Sequence, residues 1–193
     1  MKALPDLDAL ASFYDSVKPL SVKYEAEVVE DVRRRRFEDQ NEQTFLRQYV
    51  YVVLNTGMLN QVAEKMFTKW LKEGSESVRN QAKRNAIKKV QKDISMWWDL
   101  LQSSENKLAV LSLLPFIGPV TKYHLARNLG LDTAKPDRHL TRLAEHFDFP
   151  DVQSMCEALA SKVGERIGVV DLILWRACNL GYFPEDKSQT RLK

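Results

Sequence analysis

Two stretches of this 193-residue chain hold residue types that could do chemistry. The first is Leu114-Pro115-Phe116-Ile117-Gly118-Pro119-Val120-Thr121-Lys122, which breaks a helical pattern between LAVLSLL and YHLARNL. Proline suits the first turn of a helix, because its missing N–H would be unpaired there anyway. Glycine takes positive φ and lets another molecule's backbone come close. The stretch therefore predicts a helix beginning near Pro119, with Gly118 as the pliable residue. The free amides of residues 118–121, joined by the Thr121 hydroxyl, would form an anion site that needs no side-chain charge. The second stretch is Pro136-Asp137, ahead of another helix-forming run. A carboxylate there is held by helix N-terminal amides and kept ionised. The same position also suits a plain N-cap, and the residues alone leave both readings open.

Charge adds a third feature. The formal net charge is only +3, yet residues 79–92 carry Arg79, Lys83, Arg84, Lys88, Lys89 and Lys92 with no acid among them. Such a run is either a phosphate-facing surface or a solvated helix face. Metal chemistry of the His/Cys type is disfavoured: Cys156 and Cys178 are the only cysteines, and the three histidines are scattered. The two thiols are expected to be buried and reduced. No run approaches the roughly 18 apolar residues of a membrane span. The acidic, amphipathic N-terminus lacks the basic and apolar regions of a signal peptide, so an intracellular protein is expected.

The elements that must position these residues read as helices almost throughout. Gly and Pro number seven each, and amphipathic stretches dominate. Helices are expected over 6–17, 23–36, 41–54, 59–71, 76–92 running on into ISMWWDLLQ, the run ENKLAVLSLL, 119–129, 137–146, 151–162 and 168–180. Gly74, Gly130 and Gly181 close three of them. YVYVV could pass for a buried strand, but a lone strand has no partner, so it is assigned to helix. The tail from Asp186 is expected to fray. The chain is expected to be one unit, 1–193, made of a central helical lobe at about 40–130 ending in the bend and a second lobe from 1–39 plus 131–193.

Leu114-Pro115-Phe116-Ile117-Gly118 followed by a helix resembles the Leu-Pro-Gly-hydrophobic-Gly hairpin of the helix-hairpin-helix DNA glycosylases, relatives of endonuclease III and the alkylated-base glycosylases. Pro136-Asp137-Arg138-His139-Leu140-Thr141-Arg142-Leu143 resembles that family's Asp segment, and one helix plus a return loop separates it from Gly118, as in the family. YVVLNTGMLNQVAEKMFTKW resembles the family's DNA-facing helix–loop–helix. The resemblance spans roughly Phe45 to Trp175. It departs at Phe116, which stands where the family has its first hairpin glycine. It departs again at Val120, where bifunctional members carry a nucleophilic lysine. The four-cysteine cluster of endonuclease III is missing as well.

The resemblance implies an all-α fold of two helical lobes, with the hairpin and an active-site cleft between the lobes. It implies that Asp137 is catalytic: positive charge develops on a sugar as its base leaves, and a carboxylate beside it stabilises that charge and orients water. It implies that Pro115, Phe116, Ile117, Gly118, Thr121 and Arg138 meet DNA, and that His139 and Arg142 brace the fold. The base must leave the stack, and something must fill the hole. Asn55, Gly57, Met58 and Leu59 form the loop where the family carries its wedge, and Trp98 is a candidate stacking surface, with Tyr49, Tyr51, Trp97 and Trp175 expected to be mostly core. Without a lysine at Val120, Schiff-base chemistry and strand nicking should be lost; Lys122 lies about 200° round the helix from that position. No cofactor and no metal are expected, though a structural monovalent cation at the hairpin fits the family. The expected partner is double-stranded DNA, met by a monomer in the cytoplasm or nucleoid of a bacterial or phage-infected cell. A non-catalytic helix-hairpin-helix DNA-binding module is the main alternative, and a helical adaptor without DNA affinity the next.

Overall fold

Why the chain breaks where it does is visible in its caps. In the computed structural model, which describes residues 4–184, side chains of Asn41, Asn80, Asn106, Asp137 and Asp151 each accept a backbone N–H at the start of a helix. Asn41 and Thr44 complete a reciprocal capping box. All regular elements among the described residues are helical. The tail from Asp186 lies outside the described residues. The chain divides into two units: residues up to Arg34 with those from Asp132 onward, and Arg35–Leu131.

The first unit holds α1 (Leu7–Arg34), α8 (Arg138–His146), α9 (Val152–Val163) and α10 (Ile167–Asn179). The α10 helix is its centre. It is apolar nearly all round, burying Val169, Val170, Leu172, Ile173, Leu174, Ala177 and Cys178, as a helix enclosed by others must. The α1 helix packs along it through Leu10, Ala11, Tyr14 and Val17, and the Ser21 hydroxyl donates to the Ile173 carbonyl (2.9 Å). Two separate helices were expected over 6–17 and 23–36. They run as one element with Pro19 inside it and a bend at Glu25 (φ −135°, ψ 25°), where the Glu25 carboxylate pairs with Arg176 of α10. Arg33 clasps Glu165 with two bonds, of 3.1 and 2.7 Å.

The second unit holds α2 (Glu42–Asn55), α3 (Asn60–Glu73), α4 (Gln81–Lys92), α5 (Ile94–Ser103), α6 (Lys107–Leu113) and α7 (Thr121–Asn128). YVYVV is helical: α2 buries Phe45, Tyr49, Val50, Val52, Val53 and Leu54 as the spine of this core. The expected helix from residue 76 begins later, at Gln81, because Ser75–Ser77 is a 3-10 turn after Gly74; Asp93 separates it from α5. A short 3-10 turn at Phe37–Asp39 carries no periodic signal and was not expected. At the end of α7, Gly130 has φ 84°, its N–H meets the Arg127 carbonyl (2.9 Å), and the Leu131 N–H meets that of Ala126 (3.0 Å). This is the Schellman closure that a glycine there allows.

Candidate active site

The bend and the aspartate fall in different units, and each is built locally. The bend joins α6 to α7. Leu114 and Ile117 turn into the core of their unit, Ile117 N–H meets the Leu114 carbonyl (3.1 Å), and the Tyr49 hydroxyl donates to the Pro115 carbonyl (2.9 Å). Two expectations are corrected here. The helix begins at Thr121, so Pro119 lies in the turn ahead of it. The left-handed residue is Phe116 (φ 64°), while Gly118 does not adopt positive φ. The reason is packing. With the residues on both sides of Phe116 held inward, the chain reverses direction at Phe116.

Thr121 is also engaged differently than expected. Its Oγ1 accepts the Gly118 N–H (2.7 Å), so that amide and that hydroxyl close the turn instead of facing outward. The amides of Phe116, Val120 and Thr121 have no protein acceptor among the described residues. The exposed part of the bend is formed by Phe116, Pro119 and Val120. Ile117 is buried, so only its backbone is available to a ligand.

Asp137 caps α8. Its Oδ1 accepts from the N–H groups of His139 (2.9 Å) and Leu140 (3.1 Å), and its Oδ2 has no hydrogen-bond partner among the described residues. The side chain is half-buried. The connector before it is anchored by groups remote in sequence. Gln153 Oε1 accepts from the Ala134 N–H (2.9 Å) and the Thr133 hydroxyl (3.0 Å). Asp171, almost wholly buried in α10, lies 3.4 Å from the Lys135 N–H, and Asp132 accepts the Gly168 N–H (3.0 Å). Sequence reasoning missed these anchors. Asp171 did carry a signal, as a lone acid in the apolar run GVVDLIL. Burial is the main reason the Cys178 thiol is pushed up to about 12; the Asp137 charge adds to it and Arg142 opposes it. Arg138 is exposed, and Arg142 lies over the Phe183 ring at 4.6 Å.

The loop after α2 presents Gly57 (φ 73°), Met58 and Leu59 to solvent, Leu59 being 77% exposed. It is tied down from below by Lys83, whose ammonium donates to the carbonyls of Leu54 (3.0 Å) and Thr56 (2.7 Å). Burial lowers the pKa of that amine. The basic run is thus not one surface. Lys83 is buried, Arg84 and Lys88 pair with Glu76, and Arg79, Lys89 and Lys92 remain exposed. Trp98 is corrected as a stacking candidate: it is buried between Phe37 (5.4 Å) and Phe45 (5.8 Å). Tyr49 is core, while Tyr51 is half-buried, edge-on to Phe67 (5.5 Å) and His124 (6.2 Å). Among the described residues no three His, Cys, Asp or Glu side chains converge to hold a metal, and no helix is long and apolar enough to cross a membrane.

The chain has the all-helical fold of the helix-hairpin-helix DNA glycosylases. Two solved structures carry that statement. The 8-oxoguanine DNA glycosylase of Thermotoga maritima superposes with a TM-score of 0.66 at 18% identity, covering 88% of this chain and 95% of its own. That of Methanocaldococcus jannaschii superposes with a TM-score of 0.66 at 14% identity, covering 92% and 96%. At these identities the likeness is one of fold. No protein-family model matches the chain, and no curated protein matches it by sequence.

Proposed function

We propose that this protein is a monofunctional DNA glycosylase. It hydrolyses the N-glycosidic bond of an everted, damaged or modified base in double-stranded DNA and leaves an abasic site, in DNA repair or in defence against modified phage DNA. One observation carries the reading: Asp137 commits one carboxylate oxygen to the α8 amides and keeps the other without a hydrogen-bond partner among the described residues, on a connector fixed by Gln153, Asp132 and Asp171. An oriented carboxylate of this kind stabilises the cationic sugar and aligns the attacking water. The bend would hold phosphate through the amides of Val120 and Thr121, which positions the strand without reading its sequence. Leu59 and Met58 are the apolar groups available to fill the vacated stack. Val120 offers no amine, so water is the nucleophile and the strand is left intact. The protein acts as a monomer in the cytoplasm or at the nucleoid.

A non-catalytic DNA-binding module is the second reading, and it is compatible with the two cap bonds of Asp137, since a purely structural aspartate makes the same bonds. Asp137→Asn separates the two. Asparagine caps a helix about as well as aspartate, so folding and duplex binding should be kept. Duplexes carrying 8-oxoguanine, alkylated purines or phage-type modified pyrimidines are incubated with each protein, and released base is read by mass spectrometry. The wild type should release base from at least one substrate, and Asp137→Asn should lose roughly a hundredfold or more of that rate. Equal release by both proteins removes Asp137 from the mechanism. Strand nicking without alkali would overturn the monofunctional assignment.

A further inference from the structure

Phe116 is held in a conformation that its side chain opposes. Its φ of 64° is shared, among non-glycine described residues, only by Asp148 (φ 62°). A short polar side chain tolerates the left-handed region; an aromatic one is an outlier there. Both flanks of Phe116 are fixed, through buried Leu114 and Ile117 and through the Tyr49–Pro115 bond. No ring or charge within the described residues pairs with the Phe116 ring, and the residue is 40% exposed. Glycine would occupy the same backbone at lower cost. Strain of this kind, at a fixed and exposed position, points to a ligand. Val120, 37% exposed, extends the apolar surface, and its amide is one of those without a protein acceptor.

We infer that Phe116 is a nucleotide-contacting residue, its ring lying against the base or deoxyribose face of the strand whose phosphate the bend holds. The contact is apolar and adds affinity that salt does not screen. It rests on the DNA reading above and goes beyond it, because a hairpin with glycine at this position has no such group.

The test compares wild type, Phe116→Gly and Phe116→Trp. Affinity for a short duplex with a central abasic analogue is measured over a series of salt concentrations, with the melting temperature of each protein. Phe116→Gly should raise the melting temperature by roughly 2–5 °C as the strain is relieved. It should weaken binding by roughly fivefold or more at every salt concentration, as loss of a stacking contact does. The slope of log affinity against log salt should not change, and Phe116→Trp should restore affinity. Four outcomes overturn the inference. Unchanged affinity in Phe116→Gly removes it and leaves the glycosylase reading intact. A slope reduced by about 0.9, the loss of one phosphate, means the ring only shapes the amide cradle. A lowered melting temperature makes the ring a packing group. Failure of the wild type to bind duplex at any salt concentration removes the inference and the glycosylase reading together.

Discussion

Gly118 sits in the bend without needing the freedom that glycine offers. It does not adopt positive φ, and a Cβ built on it would meet nothing nearer than Thr121 Oγ1 at 3.8 Å. The protein itself would therefore accept alanine. If the bend receives a DNA backbone, however, the added methyl group stands where the phosphate must come close. Gly118→Ala is expected to unfold at the wild-type temperature and to bind duplex DNA at least tenfold more weakly, about 1.4 kcal/mol. Equilibrium binding beside a thermal melt checks both halves. Full affinity in the variant would mean that nothing approaches this face of the bend. Asp137 and Phe116 pose the same kind of question. One carries a carboxylate oxygen with no hydrogen-bond partner among the described residues, and the other a ring left 40% exposed on a left-handed backbone. Residues that cost the fold something, or gain it nothing, are where a ligand can be sought.

At the scale of elements, the end of α7 is held by a close backbone approach. A Cβ on Gly130 would lie 2.5 Å from the Arg36 carbonyl carbon, and φ there is 84°. The obstruction is backbone, so no side chain can swing aside. Gly130→Ala should cost more than about 2 kcal/mol, through clash and left-handed strain together. Chemical denaturation reads this directly, and a loss below about 1 kcal/mol would contradict the close approach. The glycine was legible in the sequence as a helix terminator, as was Gly74, because these signals are local, whereas the start of α4 at Asn80 was placed too early. The approach of Arg36 was not legible, since it joins residues far apart in the chain. The bend itself was legible in Pro115, Gly118 and Pro119, but its left-handed residue was misplaced. That choice depends on Tyr49, 66 residues from Pro115, and on which way Leu114 and Ile117 face. Lys83 shows a signal passed over. It shares one face of α4 with Ala86, Ile87 and Val90, so its inward turn followed from helical period, although its charge argued for the surface. Of the candidate site, Asp137 and the bend were readable by resemblance. The anchors Gln153 and Asp132 were not, because they act across tertiary contacts.

At the scale of the whole molecule, buried titratable groups fix how folding answers to alkali. Burial, reinforced by Asp171 and then Glu157, holds the Cys156 thiol well above 9.0, and Cys178 stands at about 12. Burial also raises the phenols of Tyr14, with Glu165 adding to it, and of Tyr49, above 10.0. Each is an acid that keeps its proton in the folded protein and surrenders it in the unfolded chain. Their stabilisation is therefore complete below the unfolded values and declines as pH rises past them: the thiols from pH 9.0, the phenols from pH 10.0. Lys83 works the other way. Burial lowers its pKa, so the unfolded chain binds that proton more tightly, and stability gains as pH climbs toward 10.5. Each group whose proton is fully lost in one state and fully kept in the other contributes about 1.4 kcal/mol per pH unit, so two thiols followed by two phenols outweigh one amine. Urea midpoints should stay level to about pH 9 and then fall with a slope that steepens beyond 10. Cys178→Ala, which removes one of the two thiols, should make the fall between pH 9 and 10 shallower than in the wild type while leaving the steepening above 10. A wild-type midpoint that stays flat to pH 11 would show that these side chains are hydrated in the folded protein, and that the cores which hold the bend and Asp137 are not closed.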